Sequence, residues 1–145
     1  MENDGVVLRP TLTDLERCAA RMIPPYSRVL AIGAESCAIE PVLPVGCSVA
    51  FASRILIRSG ADIVVILAPD VVRGHEDLAI ATRLLGRPLI FAWPVSDGNR
   101  SALSALQDQL KSAGFQLEAT EQATPALRLL KWVPEKDAIE APPIP

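Results

Sequence analysis

Arg28-Val29-Leu30-Ala31-Ile32-Gly33-Ala34-Glu35-Ser36-Cys37 is the stretch on which the reading of this 145-residue chain turns. Val29 to Ile32 form a short apolar run, the pattern of a parallel strand buried on both faces. Gly33 follows at once and permits a sharp turn, because a residue without a Cβ enters backbone conformations closed to the others. A strand that turns in this way into a helix presents backbone N–H groups to a ligand. The stretch therefore predicts an α/β fold with a ligand-facing loop behind its first strand.

Working outward, Thr13-Asp14-Leu15-Glu16 has capping-box spacing, and Leu12, Leu15, Cys18, Ala19, Met22 and Ile23 recur at helical intervals until Pro24-Pro25. An amphipathic entry helix is expected there. Ser36 to Glu40 should form a short helix that Pro41 and Pro44 cut off, and Ser48 to Ala52 supplies a second apolar strand. Ile55 to Ile57 either extends that strand or makes one helical turn, and Ser59-Gly60 marks the break before the strongest strand, Asp62 to Leu67. Its β-branched run implies burial on both faces.

Glu76 to Leu85 reads as a helix ended by Gly86, with Leu78, Ile80, Ala81, Leu84 and Leu85 apolar, and Pro88 to Trp93 as the next strand. Ser101 to Ala113 is a helix with Leu103, Leu106 and Leu110 on one stripe and Gly114 at its stop. Gln116 to Thr120 and Ala126 to Val133 form a closing strand pair. Residues 1–133 make one domain, and the tail 134–145, with four prolines and several charges, is expected to be disordered.

Half of the residues are hydrophobic and 21% are charged, enough for one core and too short a chain for two. The longest apolar run, Ile63 to Pro69, is far below bilayer length, and the start Met-Glu-Asn-Asp lacks a basic flank, so a soluble cytoplasmic protein is expected, with no membrane partner. A net charge of -3 without a dense Lys/Arg cluster argues against nucleic acid. Cys18, Cys37 and Cys47 are odd in number and lack C-x-x-C spacing, which indicates neither a disulfide framework nor a metal site and reads as buried free thiols. No P-loop, no G-x-S-x-G elbow and no complete G-x-G-x-x-G fingerprint is present, and no acidic pair follows the first strand as in a receiver domain. Phe91, Trp93 and Trp132 read as core or edge residues.

Val29-Leu30-x-Ile32-Gly33 resembles motif I of the class I S-adenosylmethionine-dependent methyltransferases. Ala61-Asp62-Ile63-Val64-Val65-Ile66-Leu67, Gly86-Arg87-Pro88-Leu89-Ile90 and the helix followed by Ala113-Gly114-Phe115 look like later elements of the same family. The likeness covers roughly residues 10 to 133. It implies a Rossmann-like, mostly parallel sheet with helices on both faces and a C-terminal antiparallel strand pair, shortened by one βα unit, because only about ten residues separate the second strand from Asp62. The implied strand order is second, first, third, fourth and then the terminal pair. The resemblance also assigns a cofactor edge: Ile32, Gly33, Ala34, Glu35 and Ser36 in the first loop, Ser53 behind the second strand, and Leu67 and Ala68 behind the third.

Departures from the family pattern decide how that edge is read. Ala31 stands at the acidic position of motif I, while Glu35 and Cys37 stand at its second and third glycines. The ribose-binding carboxylate usual behind the second strand falls near Ala52 and Ser53, where there is none. A hydrogen bond to a charged group contributes about 1.5–3 kcal/mol, so its loss weakens binding by roughly one to two orders of magnitude. Glu35 reads as capping its own loop and filling the anion site; the counter-reading has it bonding the cofactor's ammonium group. Asp70 and His75 flank the loop after the third strand, where His75 is either a general base or part of an ordinary helix start. The expectation is a non-catalytic methyltransferase-like domain that binds a ligand or assembles with a second copy or another protein. The alternative is a working methyltransferase using S-adenosylmethionine.

Overall fold

The computed structural model describes residues 10–33, 39–53, 55, 60–69, 72, 78–95 and 100–135. Strands β1 (Arg28–Ile32), β2 (Ser48–Ala52), β3 (Ile63–Ile66), β4 (Leu89–Pro94), β5 (Phe115–Gln122) and β6 (Leu127–Pro134) form one sheet in the order β2-β1-β3-β4-β6-β5. The first four run parallel, and β6 joins β4 and β5 antiparallel. This is the expected strand order, with β2 left at one edge.

Alternation along the strands sorts the apolar residues onto two faces. Leu30, Ile32, Val64, Ile66, Leu89 and Phe91 pack on one face, beneath helices α2 (Leu78–Leu85) and α3 (Arg100–Ser112). Val29, Ile63, Val65 and Ile90 pack on the other, against Leu15, Cys18 and Ala19 of helix α1 (Pro10–Arg21) and against Ile23 just behind it. The continuous apolar runs of β1, β3 and β4 follow from this double coverage, since a strand under helices on both faces has no water-facing side. Phe91 and Trp93, two residues apart and so on one face, meet edge to face at 6.3 Å, and Trp132 is fully buried in the same layer.

Two boundaries differ from the sequence expectation. Helix α1 starts at Pro10, so Thr13 and Asp14 lie inside its first turns and the capping-box pattern does not mark its start. Proline suits the first helical position, where its fixed φ fits and its missing N–H is not needed. Residues 39–42 form a single 3₁₀ turn that runs through Pro41, which therefore does not cut the helical segment off. A turn this short needs no N–H from Pro41. The expected helix from Ser36 lies otherwise outside the described residues.

Helix α2 shows how burial departs from hydrophobicity. Leu78 and Ala79 are buried and Ala81 and Leu85 pack against the core, whereas Ile80 and Leu84 are 61% and 62% exposed. Among the described residues, no helix is long and apolar enough to cross a membrane.

Candidate functional site

Register builds the candidate cofactor edge. Ile32 lies level with Ala52 on one side and Ile66 on the other. The next residues along the three strands, Ser53, Gly33 and Leu67, therefore stand in a row at the C-terminal ends of the parallel strands, about 5 Å apart. Open α/β sheets bind ligands at this edge. Five of the eight residues assigned from sequence, Ile32, Gly33, Ser53, Leu67 and Ala68, thus gather in one place. Ala34, Glu35 and Ser36 lie outside the described residues, as do Cys37, Asp70 and His75.

The chemistry of the described part of the edge is spare. Gly33 holds φ at 89°, the left-handed region expected of a motif-I turn, and its N–H donates to the Ala52 carbonyl at 3.0 Å. That bond ties the turn to β2. Ile32, Leu67 and Ala68 are buried, so their side chains are closed to solvent, and Ser53 alone of the five brings an exposed polar side chain. None of the five titrates. These residues can position a ligand but cannot move a proton for it.

Among the described residues, titratable groups cluster elsewhere. At the opposite end of the sheet the Arg28 N–H donates to the Asp62 Oδ2 at 2.8 Å and the guanidinium Nε reaches the same oxygen at 3.3 Å. The backbone bond, followed by the side-chain bond, holds the Asp62 carboxyl below the usual carboxylate range. Between α1 and β5, the Cys18 thiol donates to Glu121 Oε2 at 3.3 Å, and Arg21 donates to the same oxygen at 2.8 Å and to the Cys18 sulfur at 3.0 Å. Burial first, then the bond to Glu121, pushes the Cys18 thiol up, the opposite of an activated nucleophile. The same thiol bond, with Arg21, draws Glu121 down. Both clusters tie elements together. The first was legible in principle, since Arg28 and Asp62 precede the cores of two adjacent parallel strands; the second joins residues about a hundred positions apart and left no sequence signal. Among the described residues, no group of three or more metal-ligating side chains comes together.

The two edges of the sheet differ sharply. Strand β5 carries a bulge between Leu117 and Ala119 and sets Glu118, Glu121 and flanking glutamines along its exposed length. Bulges and charges are the means by which an edge avoids pairing with another chain. Strand β2, Ser-Val-Ala-Phe-Ala, has neither: its pairing is continuous, it holds no charge, and Phe51 is 46% exposed. Val49 packs toward the α1 face and Ala52 toward the opposite one, the alternation read from the sequence. Among the described residues no strand pairs with its outer side.

No family model matches the sequence, and no curated protein matches it. Solved structures do match the fold. A SAM dependent methyltransferase from Aquifex aeolicus superposes with a TM-score of 0.60 at 10% identity, over 86% of this chain and 91% of that one. The release factor-specific protein-(glutamine-N5) methyltransferase from Alicyclobacillus acidocaldarius gives 0.54 at 17% identity, over 93% and 99%. The mitomycin 7-O-methyltransferase MmcR gives 0.56 at 12%, over 86% of this chain; the chain spans about half of that enzyme, 54%. The chain thus has the Rossmann-like fold of the class I S-adenosylmethionine-dependent methyltransferases, at identities that speak for the fold alone.

Proposed function

We propose that this chain is a methyltransferase-like domain that does not transfer methyl groups and serves as an assembly module, joining a second copy or another protein through β2. The observation that carries the reading is the β2 edge, apolar and uncharged with Phe51 exposed, set against the bulged and charged β5 edge of the same sheet. Pairing that edge, or packing Phe51 against another subunit, removes the apolar surface from water. The cofactor edge supports the non-catalytic half of the reading. Its described residues bring one hydroxyl, Ser53, and no carboxylate where the resemblance expects one.

A second reading, an active S-adenosylmethionine-dependent enzyme, is favoured by the Gly33 turn at the C-terminal edge, which keeps the shape of motif I. Two measurements separate them. Light scattering at micromolar concentration should find the wild type associated and Phe51→Lys monomeric; a strictly monomeric wild type defeats the assembly role. Isothermal titration with S-adenosylmethionine and its demethylated product should find weak binding or none. A dissociation constant in the low micromolar range or tighter would promote the enzyme.

A further inference from the structure

The hydrogen bonds between β1 and β2 fix which backbone groups of β2 face outward. The Ser48 N–H donates to the Ser27 carbonyl at 3.1 Å, and the Ala52 carbonyl accepts from the Gly33 N–H at 3.0 Å. Successive residues of a strand turn their N–H and C=O to opposite sides. Ser48, Ala50 and Ala52 therefore direct theirs at β1, while Val49 and Phe51 direct theirs away from the sheet. The outer side of β2 is a short row of two donors and two acceptors, and no strand pairs with it among the described residues.

Such a row is self-complementary about Ala50. When a second β2 approaches antiparallel with the two Ala50 residues opposite each other, Val49 falls opposite Phe51 of the partner subunit, and each such pair exchanges both N–H···O bonds. Every outward group of both strands is then satisfied. Neighbouring registers do less. Centring on Val49 sets Phe51 against Cys47, whose N–H already donates to the Pro44 carbonyl at 3.2 Å, and centring on Phe51 sets Val49 against Ser53, beyond the end of β2. Side chains agree with the backbone. Val49 and Phe51 share the α1 face, so each partly exposed Phe51 ring lies across from Val49 of the partner subunit, an aromatic and β-branched pair of the kind that stabilises sheets. On the other face only Ser48, Ala50 and Ala52 meet, none of them large or charged.

We propose that the partner of β2 is a second copy of this chain, paired β2 to β2 antiparallel about a two-fold axis at Ala50, so that the two sheets become one. The inference rests on the assembly role proposed above and names the partner and the register. The other way to join copies by their edges, β2 of one on β5 of the next, extends without closing, and the β5 bulge with Glu118 and Glu121 opposes it. Pairing β2 with β2 closes after two copies and sets no charged residue of one strand against the other.

Cysteine cross-linking of the full chain tests it, with the wild type, which has Cys18, Cys37 and Cys47, as the control for native thiols. Residues opposite each other without mutual hydrogen bonds, as the two Ala50 residues would be, have Cα atoms about 4.5 Å apart, within the reach of a disulfide. Under mild oxidation Ala50→Cys should give a covalent dimer joined at position 50 of both chains, as mapped by mass spectrometry. Val49→Cys and Phe51→Cys should each fail to link to their own kind, which lie out of register, and should link to each other when mixed. Phe51→Pro removes an outward N–H and no bond to β1, so it should abolish the dimer that Phe51→Ala only weakens, with the circular dichroism spectrum unchanged. A wild type that is monomeric by light scattering overturns this inference together with the β2 role. An associated wild type whose links map to another register, to β5 or to none of these positions overturns the inference alone, as does equal association of Phe51→Pro and Phe51→Ala.

Discussion

Gly46→Ala is expected to destabilise the protein by about 2 kcal/mol, through two separable terms. Gly46 holds φ at 77° in the turn that leads into β2, and a Cβ in the left-handed region costs about 1–2 kcal/mol. The second term comes from Tyr26, itself at φ 62°, whose N–H donates to the Val45 carbonyl at 3.0 Å and whose ring lies over Gly46. A Cβ on residue 46 would overlap ring carbons Cδ1 and Cε1, so the ring must swing away. Tyr26 is 73% exposed, and full burial of a large apolar side chain gains about 1.5–3 kcal/mol, so forfeiting its remaining contact costs about 0.5 kcal/mol. Gly114→Ala is the control, because Gly114 also has positive φ, at 91°, with no atom within 4 Å of the new Cβ. Urea unfolding followed by circular dichroism should place Gly46→Ala below Gly114→Ala, and adding Tyr26→Ala should shrink the Gly46 penalty to the backbone term. In a domain of this size 2 kcal/mol corresponds to a fall in Tm of roughly 8 °C. A Gly46→Ala protein within about 0.5 kcal/mol of wild type would refute the reasoning.

Three further outcomes are expected. Asp62 and Glu121 both have depressed folded-state pKa values, so the stability they contribute is fully present above the unfolded carboxylate range, about pH 5, and is lost as pH falls through the folded values. Asp62→Asn should therefore cost at most about 1 kcal/mol at pH 7, as for other partly exposed pairs, and progressively less as pH falls through the lowered folded-state value; an undiminished gap at the acid end of the range would refute the assignment. Cys18, buried and pushed up by its surroundings, should react with a thiol reagent at pH 8 far more slowly than half-buried Cys47, as mapped by mass spectrometry, and Glu121→Gln should not make it the faster of the two. The Trp132 indole Nε1 is buried without a hydrogen-bond partner among the described residues, a state that costs about 1–3 kcal/mol. Trp132→Phe recovers that penalty while losing ring contacts and should change stability by less than about 1 kcal/mol; a loss above 2.5 kcal/mol in urea unfolding would mean that the N–H is satisfied.

The sequence by itself determined the order of strands and helices and the sorting of side chains onto two faces, because period-2 and period-3.6 patterns and glycine stops are local signals. Val29 to Ile32, Ile63 to Ile66 and Leu89 to Trp93 could be read as doubly buried strands since no polar residue interrupts them. Val49 and Ala52 could be assigned to opposite faces by alternation alone. Capping was less legible: a box at Thr13 competes with a proline start at Pro10, and the two cost little to exchange. Only the tertiary structure decided which apolar residues go uncovered. Ile80 and Leu84 are as hydrophobic as Leu78 and Leu85, and Phe51 as Phe91, yet their exposure depends on whether another element lies over them. The joining of Cys18, Arg21 and Glu121 and the bond from the Glu135 N–H to the Gly114 carbonyl were likewise settled by tertiary packing, which brings distant positions together by geometry that no local pattern encodes.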